Sequence, residues 1–122
     1  MDKKIECDWI IHGVLDGKND RIVYHTHGLS EFHDMIELEL NLPIEQNQAK
    51  EFINFMAVYL IRNGLKIKEN TKIEGAFTCP IYLKRVKGIF GDGEENLRII
   101  FPDEKFRFPW EEGCSERYSK QI

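Results

Sequence analysis

His25 and His27 are the residues whose type and spacing come closest to a chemical site. On an extended strand, residues two apart face the same side, so both imidazoles could reach one metal ion. His12 falls in the preceding extended segment and His33 just beyond. Glu37 and Glu39 offer carboxylates from the next segment. Two imidazoles plus a carboxylate, with one position open, suit catalytic zinc or non-heme iron. No complete metal motif surrounds them. The expectation is therefore that His25 and His27 share one side of a strand and hold no metal. The alternative is a metal-dependent, hydrolytic enzyme built on His25, His27, Glu37 and Glu39.

Other constellations are weaker. Cys7, Cys79 and Cys114 are odd in number and widely spaced, with no CxxC. Free thiols in a reducing cytoplasm are the simplest expectation. Gly91-Asp92-Gly93 lacks the Lys-Ser/Thr of a phosphate loop and the spacing of a calcium loop, and reads as a hairpin turn. Phe106, Phe108 and Trp110 form an aromatic run that either caps the core or offers an interaction surface. Lys84, Arg85 and Lys87 are the only basic cluster; on a strand Lys84 and Arg85 point to opposite faces. With a net charge of -4, no nucleic-acid partner is expected.

The elements that position these groups follow from periodicity. Cys7 to Leu15 and Arg21 to Leu29 read as a hairpin around a turn of about five residues, with Gly28 marking a bulge or close approach. From Met35 to Leu42, Ile36, Leu38, Leu40 and Leu42 alternate with Glu37, Glu39 and Asn41. That period of two predicts an oily inner face and an acidic face toward water. Ile44 to Asn63 repeats Ala49, Phe52, Ile53, Met56, Tyr59 and Leu60 at helical spacing, with Gly64 to end the helix. Ile36, Leu38 and Leu40 should meet Phe52, Ile53 and Met56. Thr71 to Phe77, Ile81 to Val86 and Leu97 to Phe101 read as strands. The predicted fold is α+β: a mostly antiparallel sheet of five to six strands, one long helix on one face, in the order of three strands, helix, three strands.

A chain of 122 residues is one domain, 1–122, with 42% apolar and 31% charged residues. No apolar run is long enough to span a membrane, and Met1 to Glu6 lead into no apolar segment, so neither a signal peptide nor a membrane partner is expected. The abundance of Ile and the excess of Lys over Arg suit an AT-rich bacterial genome.

Tyr24-His25-Thr26-His27-Gly28-Leu29 and Phe108-Pro109-Trp110-Glu111-Glu112-Gly113-Cys114, together with Trp9 in an early strand, resemble the bacterial domain of unknown function 4262 family over nearly the whole chain. Many relatives carry an apolar residue where this chain has histidine, and often aromatic residues near Cys114. The resemblance implies a small bacterial domain without an established activity, and it counts against His25 and Cys114 as essential chemistry. It also places Trp9 and Trp110 in shared segments, and both rings are expected to be buried with their indole N–H groups satisfied.

The function expected from these readings is a non-enzymatic binding or protein-interaction module of the bacterial cytoplasm. It would carry no cofactor and no assigned catalytic residue. Its partner would be a protein or small molecule, and self-association is left open. The residues do not decide whether the chain is an enzyme.

Overall fold

In a computed structural model of the chain, residues 9–16, 21–42, 44–67, 69–75, 77–87 and 95–121 are described. Cys7 and the turn at Gly91-Asp92-Gly93 lie outside them.

Apolar β-formers build the first hairpin. β1 (Ile10–Asp16) pairs antiparallel with β2 (Arg21–His27), Asp16 opposite Arg21 and His12 opposite His25. Gly13 stands opposite Tyr24, whose ring comes within 3.0 Å of where a Cβ would be, so a side chain here would displace the ring. Gly28 is not a bulge. At φ 119° it ends β2 and precedes a short helix, α1 (Leu29–His33), so Leu29 is helical and not the last residue of the strand.

β3 (Glu37–Leu40) pairs antiparallel with β2. The long helix α2 (Gln46–Arg62) then crosses the sheet. Gly64, at φ 63°, takes the left-handed conformation just past its end. β4 (Thr71–Ile73), β5 (Ile81–Lys87) and β6 (Glu95–Ile100) return antiparallel from the far edge, and a short α3 (Glu116–Ser119) follows.

The class is α+β, as predicted, but the sheet is mixed. Its order is β1-β2-β3-β6-β5-β4, and the central β3–β6 pair is parallel. The element order also gains α1 and α3. The reason is α2: a helix between two strands carries the chain back to its starting end, so β4, at the far edge, points the same way as β3, and two reversals bring β6 beside β3 in the same sense.

Leu38 and Leu40 pack with Ile53 and Met56 in one core, and Ile36 and Phe52 lie half-buried against it. Tyr24, Leu83, Leu97 and Ile99 extend this core across the sheet. The expected acidic, solvated face of β3 is not found: Glu37 and Glu39 are both buried. Glu37 is covered where α1 meets β2, and segment 101–121 holds Arg98, the partner of Glu39. Gln121 is fully buried, its side chain bonds the Phe101 backbone in both directions, and its carbonyl accepts from Arg98. Alternation thus sorts apolar from polar side chains, while a second layer decides which polar ones meet water.

Candidate functional site

Register alone assembles the histidines. His25 and His27 share one side of β2 as expected, and His12 joins them because it is the direct cross-strand partner of His25. The three rings form a triangle, with centres 4.6 Å apart for His25 and His27, 4.7 Å for His12 and His27, and 5.7 Å for His12 and His25. His12 and His27 are exposed, whereas His25 retains 6% of its accessible surface. Burial, followed by the neighbouring His27 and His12, lowers the His25 pKa below the usual imidazole value; a backbone hydrogen bond at Thr26 and the Glu39 charge oppose this.

This triangle lies at one end of a polar row. His12, His25, Glu39, Arg98 and Lys84 stand opposite one another across β1, β2, β3, β6 and β5. The predicted glutamate ligands are committed elsewhere. Arg98 Nε donates to Glu39 Oε1 at 2.6 Å, and Asn96 Nδ2 to Glu39 Oε2 at 3.2 Å. The Glu37 carboxylate accepts from the Leu29 and Ser30 backbone N–H groups and from the Thr26 and Ser30 hydroxyls. It ties the end of β2 to α1. As the side chains stand, no group of three or more His, Cys, Asp or Glu among the described residues is arranged to hold a metal ion. His33 is apart from the triangle, edge-on to Trp9.

Cys79 and Cys114 are free thiols, both half-buried, and burial raises both pKa values; the nearby Asp103 charge raises that of Cys114 further. Neither has the depressed pKa of an activated nucleophile.

The aromatic run divides. Phe108 is buried, but Trp110 keeps 49% of its surface, against expectation. Its ring stacks flat on Phe108, centres 5.0 Å apart, and meets Tyr82 edge-on at 4.8 Å. Trp9, by contrast, is buried with its indole N–H bonded to Asn54 Oδ1 at 2.8 Å, as expected.

Phe106 is 60% exposed and adopts φ 60° without being glycine. The turn beneath it is tightly held. Asp103 Oδ1 accepts from the Lys105 and Arg107 N–H groups, and Oδ2 from Arg107 Nε and the Ser115 N–H. Burial alone would raise the Asp103 pKa, but these donors outweigh it and hold the carboxyl at about 2. Phe106 borders a cavity of about 390 Å³ whose walls include Leu42, Ile44, Phe52 and Phe101. Phe52 also borders a second cavity with Phe55 and Phe77. Sequence reasoning missed these inner walls, because Phe52, Phe77 and Phe101 come from three separate segments and carry no local signature.

No helix among the described residues is long and apolar enough to cross a membrane. Comparison with known proteins leaves this geometry to stand alone: no family model matches the chain, and neither a curated protein nor a solved structure does.

Proposed function

We propose that the chain is a binding module without chemistry of its own, and that it takes an apolar or aromatic side chain of a partner protein at the face around Phe106. The observation that carries this reading is Phe106 itself. A non-glycine residue in the left-handed region is disfavoured by about 1–2 kcal/mol. A phenylalanine kept there in water, on a turn fixed by Asp103, points to a role outside the fold. An exposed aromatic beside an apolar cavity is the usual form of a binding hot spot. The two free, half-buried thiols support a reducing, cytoplasmic setting. A hydrolytic centre on His25 and His27 has less support, because Glu37 and Glu39 already serve other partners.

The test is panning of a random peptide library against the wild type, followed by binding of selected peptides to Phe106→Gly. Glycine suits φ 60°, so the turn survives while the ring is lost. Peptides with aromatic or aliphatic anchors that bind the wild type and lose at least tenfold affinity for Phe106→Gly would support the reading. Failure to select any peptide, or equal binding to both proteins, would count against it.

A further inference from the structure

We infer that His12, His25 and His27 form a binding site for one divalent transition-metal ion of the zinc, copper or nickel class. This goes beyond the aromatic face and does not depend on it. An ion bound at about 2.1 Å by three imidazole nitrogens in tetrahedral geometry places the ring centres roughly 5 Å apart. The three separations, 4.6, 4.7 and 5.7 Å, straddle that value. What the present arrangement lacks is orientation, not distance. His12 and His25 lie nearly parallel, 23° between planes, whereas ligands must aim a nitrogen inward. His12 and His27 are exposed and touch chiefly each other and His25, so their rings turn between rotamers without breaking core packing.

The backbone supplies the rigidity. One cross-strand pair, one same-strand pair two residues apart and one diagonal pair fix the three Cβ positions within a continuous ladder. Imidazole-only ligation selects borderline transition metals over calcium or magnesium, which require oxygen. Glu39, directly opposite His25, is held by Arg98 and supplies no ligand. A fourth position stays open to water.

Zinc titrated calorimetrically into the untagged full chain should saturate at one equivalent. Cobalt in its place should give the visible absorption of a four-coordinate nitrogen site without a thiolate charge-transfer band. His12→Ala and His27→Ala change exposed side chains, and far-ultraviolet dichroism should confirm that both variants fold. Each should weaken zinc binding at least ~100-fold, because loss of outer partners alone weakens metal sites by roughly 10–100-fold. Cys79→Ser/Cys114→Ser should bind as the wild type does. Absence of stoichiometric zinc, a thiolate band with cobalt, or undiminished binding by the His12→Ala/His27→Ala double variant would overturn the inference.

Discussion

Arg98 and Glu39 meet at 2.6 Å on adjacent parallel strands, and both are buried on the sheet face that alternation predicts to be wet. Their partners explain how two charges survive there. Asn96 gives Glu39 a second donor, and the Gln121 carbonyl accepts from Arg98 Nη1 at 2.9 Å. A buried pair is weak evidence for stability, since desolvation offsets the attraction, but its halves are not independent. Arg98→Met should destabilise the fold by roughly 3–5 kcal/mol, because it strands the Glu39 charge. Glu39→Leu in the same chain should recover most of that loss. Urea unfolding of the single and double variants decides it; an equal loss in both would mean that the Gln121 contact, not the ion pair, governs the site.

Acid should loosen the turn at Asp103. Its carboxyl titrates at about 2 in the folded chain against an ordinary value of 3.8. A carboxyl depressed on folding stabilises the fold above its unfolded pKa, and that stability disappears as pH falls through the folded value. The wild type should therefore lose its advantage over Asp103→Asn between about pH 4 and pH 2. Above that window the difference should be flat. Paired unfolding curves from pH 7 to pH 2 provide the check, and a gap that stays constant down to pH 2 would refute the assignment.

Phe106→Gly should raise stability rather than lower it. Relief of the left-handed strain contributes about 1–2 kcal/mol, and the greater freedom of unfolded glycine removes about 0.4–1 kcal/mol of it. The net gain is on the order of 0.5–1 kcal/mol. A loss of stability would show that the exposed ring packs usefully on the Phe52 and Phe101 wall, and the functional argument for Phe106 would fail.

How much of this was legible depended on locality. The helix, the alternation of β3 and the shared side of His25 and His27 depend on residues close in sequence, and they were readable. The His12 contact depended on one residue of register. A five-residue turn would pair Leu15 with Arg21 and send His12 to the other face; the observed Asp16–Arg21 pair brings it to His25. The fate of Glu37 and Glu39 was not readable at all. Their partners Ser30, Arg98 and Asn96 belong to other elements, and the parallel pairing that delivers Arg98 depends on where α2 returns the chain. Trp110 shows the same limit, since composition marks it as aromatic but not which of its faces is covered.

Gln121 should be the most sensitive residue of segment 101–121. Its side chain acts as a short piece of strand: Oε1 accepts from the Phe101 N–H at 2.7 Å, and Nε2 donates to the Phe101 carbonyl at 2.6 Å and to the Tyr118 carbonyl at 2.8 Å. It has no exposed surface, so water does not replace these bonds at the surface when they are lost. Gln121→Ala leaves the Phe101 donor and acceptor without the side chain that satisfies them, at about 1–3 kcal/mol for each group. A total of about 2–6 kcal/mol is expected. Gln121→Glu keeps the acceptor but turns the donor into an oxygen facing two carbonyls, and it buries a charge. It should be at least as damaging as alanine, although it is closer in shape. That ordering separates hydrogen bonding from packing, because packing alone would rank glutamate above alanine. Hydrogen exchange at the Phe101 amide gives a local reading: protection should fall in Gln121→Ala even under conditions where the α2 amides remain protected. If protection at Phe101 is unchanged, the tail does not latch the outer face of the sheet, and the burial of Glu39 and Arg98 needs another cause.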